Sequence, residues 1–183
     1  MQKHRNSPDD LISFAADRGG ERQPETQPWK VMIVDDEIDV HKVTQLVLSG
    51  FHFDGKGIEF IDCYSAADAK DALRRHPDVA IVILDVVMEE MDSGLRLVEF
   101  IRDELNNKYV RIILRTGQPG QAPERQVILQ YNISDYKSKI ELTSEKLLTS
   151  VISCLRSYID IVTIEKHRRG LEKIVVAVDD IFQ

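Results

Sequence analysis

The 183-residue chain has only two cysteines and no hydrophobic run long enough to cross a membrane. Cys63 and Cys154 lack the CxxC or Cys/His spacing of a metal site, so we expect buried, reduced thiols. The longest apolar run, 79–84, is much shorter than a membrane-spanning helix, and no apolar run follows the basic residues near the amino terminus. The sequence therefore predicts a cytoplasmic protein without a membrane segment.

An excess of positive charge is missing as well. The chain carries 31 acidic and 24 basic side chains, a net charge of -7, so it lacks the positive field that direct binding to nucleic acid requires. Hydrophobic residues make up 43% and charged residues 30%, a balance that excludes a disordered or fibrous chain. We expect one hydrophobic core with appendages.

Short apolar runs alternate with stretches of helical spacing through the middle of the chain. The predicted strands cover residues 31–34, 58–64, 79–84, 110–115 and 133–137. The predicted helices cover residues 40–48, 65–76, 95–105 and 123–131. Because parallel neighbours need helical crossovers, this alternation predicts an α/β fold with a doubly wound, five-stranded parallel sheet.

The two ends of the chain depart from this pattern. Residues 1–28 mix charges with glycine and proline, and we expect a flexible tail before a domain over 29–158. Residues 159–183 form a predicted helical linker, the start of a truncated downstream region that follows an extended C-terminal helix. Around 166–170 the apolar stripe shifts, so we expect two helical stretches with a kink or register change there. This stripe exceeds what one domain covers, so we expect a homodimer through the C-terminal helix.

Polar side chains follow the predicted strands where a doubly wound sheet places its ligand site. Asp35 and Asp36 follow the first strand, Asp85 the third, Thr116 the fourth and Lys139 the fifth. Three neighbouring carboxylates predict a site for Mg²⁺ or Mn²⁺. A carboxylate beside such an ion can attack phosphorus if an ammonium and a hydroxyl also meet the developing charge. Asp85, Lys139 and Thr116 supply these three groups.

The segments VMIVDDE, VILDVVM, IILRTG and DYKSK resemble the receiver domains of response regulators in two-component systems, over about Trp29 to Tyr158. The resemblance implies a flavodoxin-like (βα)5 fold in which Asp85 accepts a phosphoryl group from a histidine kinase or phosphotransfer protein. It also implies the remaining roles: Mg²⁺ bound by Asp35, Asp36, Asp85 and the backbone carbonyl of Val87, a salt bridge from Lys139 to the phosphoryl group, and Thr116 with Tyr136 as the switch pair.

Two departures from the receiver pattern leave alternatives open. Glu89 and Ile140 replace the usual prolines, and the usual glycine after the acceptor arrives one residue late, at Gly94. A degenerate receiver that acts as a phosphorylation-independent interaction or dimerisation module is therefore the alternative function. Lys137 is a rival for the salt bridge, although the spacing of Tyr136 favours Lys139.

Three longer segments resemble a subfamily of receivers: VVMEEMDSGLRLVEFIR, RTGQPGQAPERQVI and SYIDIVTIEKHRRGLEKI. In that subfamily the receiver precedes a sensor-like domain, and the output is commonly an HD-GYP cyclic di-GMP phosphodiesterase. The resemblance implies that any output enzyme lies outside this chain, which is itself no enzyme.

Other readings of the strand-end residues fit less well. An Asp-nucleophile phosphohydrolase needs a second acid two residues after the first, where the chain has Val87. A dinucleotide-binding enzyme needs a glycine-rich turn where the chain has VDDE. The histidines show no ligand spacing, and we expect surface positions for His41, His52, His76 and His167.

Overall fold

The computed structural model describes residues 27–117, 129, 131, 133–138 and 143–181. Within these residues the strands are β1 (Trp29–Val34), β2 (Ile58–Cys63), β3 (Ile81–Asp85), β4 (Arg111–Thr116) and β5 (Asp135–Ser138). They form one parallel sheet in the order β2-β1-β3-β4-β5. This order confirms the predicted doubly wound, flavodoxin-like sheet, in which the strand order reverses between β1 and β3.

Helices cover both faces of the sheet, as predicted. They are α1 (Ile38–Leu48), α2 (Ala66–Arg75), α3 (Ser93–Glu99) and the C-terminal helix (Ser144–Ile181). Ser65 caps α2 by accepting the Asp68 N–H at 3.1 Å, and Gly50 follows α1 with a φ of 71° that favours glycine. The predicted helix over 123–131 and the predicted tail over 1–28 lie almost wholly outside the described residues.

The core has two layers because the sheet is buried on both faces. All five residues of β3 are buried, as expected for the central strand of a parallel sheet. On one face the C-terminal helix packs on the sheet through Leu147, Val151 and Leu155. On the other face α2 and α3 pack through Ala69, Leu73, Leu97 and Val98. Both free cysteines are buried, as predicted.

The third helix differs from the single helix predicted over 95–105. After α3 the backbone widens into a π-helical turn, Phe100–Glu104, in which the Leu105 N–H donates to the Phe100 carbonyl at 2.9 Å. Arg102 in this turn donates to the carbonyl oxygens of Asn107 and Val110 at 2.6 and 3.1 Å. The turn therefore joins α3 to the start of β4.

The prediction of two separate helical stretches around 166–170 is wrong, because Ser144–Ile181 forms one continuous helix. Glu165 pairs with Arg168 and Arg169 at 2.7 and 2.8 Å, and Arg168 also pairs with Glu172. These pairs join successive turns across the charged patch, and a single glycine costs a helix only about 1 kcal/mol. Gly170 therefore does not end the helix.

Part of this helix also has the length and composition of a membrane-spanning segment. The part concerned is Ser144–Ile174. Length and composition alone are weak evidence, because core helices of other proteins pass the same test. Here Leu147, Val151 and Leu155 lie in the core against the sheet.

Candidate functional site

Three carboxylates meet at the carboxyl ends of β1 and β3. Asp35 directly follows β1 and Asp85 ends β3, and these two strands are paired neighbours. One oxygen from each of Asp35, Asp36 and Asp85 lies within 4.8 Å of the others. Asp35 and Asp85 are buried, whereas Asp36 is exposed. The three predicted metal ligands therefore share one pocket, which is open to solvent at Asp36.

The donors in this pocket fit the predicted divalent ion. Carboxylate oxygens are hard ligands that suit Mg²⁺ or Mn²⁺, and buried carboxylates this close repel one another until a cation neutralises them. The fourth predicted donor, the backbone carbonyl of Val87, belongs to the loop that follows β3. The Val87 nitrogen lies 3.5 Å from the Asp85 Oδ1, so this loop lies against the Asp85 side chain.

Gly94 permits a close approach of α3 to the backbone of Asp85. The Gly94 N–H donates to the Val86 carbonyl at 3.1 Å. A Cβ at this position would lie 2.1 Å from the backbone oxygen of Asp85 and 2.8 Å from the Cα of Val86. No residue with a side chain fits without a shift of the loop, so Gly94 is required for this packing.

The loop between β3 and α3 is tied to α2 by Glu89. Its Oε1 accepts the N–H of Ala66 at 3.0 Å. Ala66 is the first residue of α2, where backbone N–H groups lack helical partners and favour a negative charge. Glu90 and Asp92 pair with Arg96 at 2.7 and 2.9 Å. The acids of this loop are therefore engaged by α2 and α3.

Arg115 is a residue of the pocket that the sequence analysis missed. It pairs in register with Asp85 and is 4% exposed. Its Nη2 donates to Asp35 Oδ2 at 3.3 Å, and its Nη1 donates to Thr44 Oγ1 at 2.9 Å. Burial lowers the pKa of Arg115, although the nearby carboxylates oppose this shift. Ile113 and Arg115 are two residues apart on one strand, so their side chains lie on the same face of the sheet. That face is the one that α1 covers through Leu48.

His41 is a second missed residue, and its predicted surface position is wrong because it is 2% exposed. Its Nδ1 lies 2.6 Å from Asp62 Oδ1, and its Nε2 lies 2.8 Å from the backbone oxygen of Asp35. The ring therefore joins the side chain of Asp62 to the backbone of Asp35. The i, i+3, i+7 spacing of His41, Thr44 and Leu48 was the available signal, because these residues form the buried face of α1.

Thr116 and Tyr136 lie next to each other on the α2 side of the sheet. Thr116 ends β4 and pairs with Ser138, while Tyr136 pairs with Leu114. Side chains two residues apart point to the same face, so the hydroxyl and the ring are neighbours across the two strands. Thr116 is 3% exposed, and Tyr136 is half-buried against the core. The arrangement fits the predicted switch pair, whose role stays a prediction.

The predicted phosphoryl-binding lysine, Lys139, lies outside the described residues, as does Ile140. Its rival Lys137 is described, and the Lys137 ammonium pairs with Asp135 at 3.2 Å. Lys137 also lines the groove between β5 and the C-terminal helix. The role of Lys139 in the salt bridge stays a prediction.

Comparison with known proteins gives two family matches. The model of the response regulator receiver domain matches residues 31–152. The model of a domain of unknown function (DUF3369) matches residues 151–183.

A curated relative is the 3'3'-cGAMP-specific phosphodiesterase 2 of Vibrio cholerae serotype O1 (strain ATCC 39315 / El Tor Inaba N16961). It is 46% identical over 151 residues, which make up 82% of this chain and 29% of that protein. The chain therefore spans less than a third of the length of this relative.

Solved receivers share the fold. The signal receiver domain of an HD domain-containing protein from Pseudomonas fluorescens Pf-5 matches with a TM-score of 0.63 at 22% identity, covering 75% of this chain and 94% of that one. A chain of the CheX-CheY-BeF3-Mg+2 complex from Borrelia burgdorferi matches with a TM-score of 0.54 at 28% identity, covering 69% of this chain and 88% of that one. The strand order, the acidic pocket and the match over 31–152 lead to one conclusion: the chain belongs to the response regulator receiver domain family.

Proposed function

We propose that this chain is a phospho-receiver in which Asp85 accepts a phosphoryl group from a histidine kinase or phosphotransfer protein. The transfer depends on Mg²⁺ and switches a downstream output. The position of Asp85 carries this proposal: it is 3% exposed, ends the central strand, and has an oxygen within 4.8 Å of the carboxylates of Asp35 and Asp36. A carboxylate held beside a cation site is positioned to react with an anionic phosphoryl donor, which bare acids would repel.

In the proposed step a carboxylate oxygen of Asp85 attacks phosphorus. The bond between phosphorus and the donor nitrogen breaks, and the donor imidazole keeps the electron pair. Asp35, Asp36, Asp85 and the backbone carbonyl of Val87 would hold Mg²⁺, which would supply positive charge for the phosphoryl oxygens. The Thr116 hydroxyl donates to one phosphoryl oxygen and the Lys139 ammonium pairs with another. The chain supplies position and charge, and the product is an acyl phosphate.

The proposed switch follows from the neighbouring positions of Thr116 and Tyr136. Once Thr116 moves toward the phosphoryl oxygens, the Tyr136 ring moves into the space beside it. Thr116 lies on β4 and Tyr136 lies on β5, the last two strands at one edge of the sheet. The surface formed by β4, β5 and the C-terminal helix therefore changes between the two states.

We also propose that two copies associate through the C-terminal helix. Ile164, Leu171 and Ile174 are 67%, 64% and 61% exposed, and their spacings of seven and three residues place them on one heptad stripe. Leu171→Glu with Ile174→Glu should reduce the mass in light scattering from two copies to one. Lys173→Glu, an exposed control off this stripe, should stay dimeric. An unchanged mass in the double variant contradicts the proposal.

The downstream output is proposed from the curated relative. The 46% identity to 29% of the 3'3'-cGAMP-specific phosphodiesterase 2 supports an HD-GYP-type output that acts in cyclic di-GMP or related signalling. We propose that the protein is cytoplasmic and that this chain binds neither nucleic acid nor membrane. We also propose that the chain divides into a tail over 1–28, a receiver over 29–158 and a helical linker over 159–183. The linker region matches the domain of unknown function, which begins inside the C-terminal helix.

Intact-mass spectrometry after incubation with acetyl phosphate and Mg²⁺ tests the phospho-receiver proposal. The parent chain should gain one phosphoryl group, and Asp85→Asn should gain none. Asp71→Asn, which removes an exposed acid of α2 that pairs with Arg74, is the matched control and should gain one. Equal incorporation in the parent and Asp85→Asn, or none in the parent with several donors and metals, overturns the proposal. The second result would favour the degenerate receiver.

A further inference from the structure

The acidic pocket contains a buried cation for which the proposed transfer has no role. The guanidinium of Arg115 forms an ion pair with Asp35 at 3.3 Å, and the two side chains are 5% and 0% exposed. Arg115 comes from β4, next to Asp85 on β3. Among the described residues, the pocket therefore combines three carboxylates with the guanidinium of Arg115.

Arg115 is fixed in place from two sides. Thr44 on α1 accepts its Nη1–H at 2.9 Å, and the Thr44 hydroxyl donates in turn to the Val40 carbonyl at 2.7 Å. The other oxygen of Asp35 accepts the Glu37 N–H at 3.0 Å. Both oxygens of Asp35 thus have donors, so the carboxylate is held in one orientation.

We propose that Arg115 is a positioning residue and a built-in counter-cation of the metal site. It orients Asp35 and offsets part of the repulsion among the three acids before Mg²⁺ binds. Because the guanidinium repels the incoming ion and already attracts Asp35, it also lowers the affinity of the pocket for Mg²⁺. This inference rests on the proposed metal site and adds the residue that sets its affinity.

Arg111 provides a matched control within the same strand. It lies at the amino end of β4, on the same face as Arg115, and is 5% exposed. Its guanidinium donates to the carbonyl oxygens of Tyr109 and Lys108 at 2.8 and 2.6 Å. Loss of Arg111 should therefore affect folding without changing the charge of the acidic pocket.

The test measures the Mg²⁺ dissociation constant by isothermal titration calorimetry and the unfolding temperature without metal. Arg115→Gln should bind Mg²⁺ about tenfold more tightly and unfold at a lower temperature when metal is absent. Arg115→Lys, which keeps the charge, should restore an affinity within about threefold of the parent. Arg111→Gln should unfold at a lower temperature with an unchanged Mg²⁺ affinity.

The outcomes separate this inference from the proposed function. If the parent binds Mg²⁺ and Arg115→Gln binds it equally or more weakly, the charge of Arg115 does not limit the affinity and the inference is overturned, while the phospho-receiver proposal stands. If the parent does not bind Mg²⁺, both are overturned. Should Arg115→Gln not fold by circular dichroism, Arg115→Met replaces it with the same expected increase in affinity.

Discussion

The two buried arginines of β4 stand at opposite ends of one strand, on the same face of the sheet, in different surroundings. At the amino end, Arg111 donates to two backbone carbonyl oxygens. At the carboxyl end, Arg115 donates to the carboxylate of Asp35. Burial lowers the pKa of both guanidinium groups. Arg111 is thus paired with neutral backbone carbonyl groups, whereas Arg115 is paired with a charged carboxylate.

The glycines and acids also differ between the amino ends of the strands, at one edge of the sheet, and their carboxyl ends, at the opposite edge. At the amino end Gly57 has ordinary space around it, and Asp78 pairs with Lys30 at 2.8 Å. At the carboxyl end Gly94 has no space for a side chain, and Asp85 lies beside two more acids. The carboxyl end therefore contains groups that a structure selected only for stability would avoid, which is typical of a functional site.

The largest expected difference between the ends is at the glycines. Gly94→Ala should lower the free energy of unfolding by about 3 kcal/mol, because its Cβ would overlap the backbone of Asp85. Gly57→Ala should change it by less than about 1 kcal/mol, because its Cβ would meet only the His52 ring at 3.8 Å. Urea unfolding of both variants measures this. Equal losses would show that the loop after Asp85 has room to move.

A smaller effect of opposite sign is expected at the acids of the pocket. Asp85→Asn should raise the free energy of unfolding of the metal-free protein by about 1 kcal/mol at neutral pH and low salt, since it removes one of three mutually repelling carboxylates. The gain should shrink when Mg²⁺ is added. Thermal unfolding with and without Mg²⁺ is the measurement, and no gain without metal would mean that the three acids are not clustered in solution.

The smallest effect is expected at the acid of the amino end. Desolvation alone would raise the pKa of Asp78, but the hydrogen bond and charge of Lys30 outweigh it and lower the pKa below its ordinary value of 3.8. Ionised Asp78 therefore stabilises the fold above that pH, and this contribution is lost as the pH falls through the lowered pKa. Asp78→Asn should cause a small loss of stability at pH 7 that disappears in acid. A gain like that of Asp85→Asn would remove the contrast between the two ends.

The sheet and its strand-end acids could be predicted because their signals are local. Alternating apolar runs and helical spacings specify the order of elements, and a parallel sheet brings the ends of its strands to one edge. That reasoning placed Asp35 and Asp85 together without any contact information. The sequence also pointed to Gly94, but the reason for glycine appears only in three dimensions, because a Cβ there would lie 2.1 Å from the Asp85 backbone oxygen.

The missed features depend on partners that are distant in the sequence. Arg115 bonds to Thr44, 71 residues away, and His41 bonds to Asp62 across the space between α1 and β2. No local pattern pairs such residues. The two helical stretches predicted around 166–170 are continuous for a different reason: the ion pairs of Arg168 across that turn offset the low helix propensity of Gly170.

The site of phosphoryl attachment tests the central claim most directly, because three acids share the pocket. Borohydride reduces an acyl phosphate to an alcohol and leaves free carboxylates intact, so reduction after incubation with acetyl phosphate and Mg²⁺ marks the acceptor for peptide mapping. The account predicts a reduced side chain at position 85 and unreduced aspartates at 35 and 36. Reduction at Asp35 or Asp36, or phosphoryl incorporation with no reducible acyl phosphate, would contradict it.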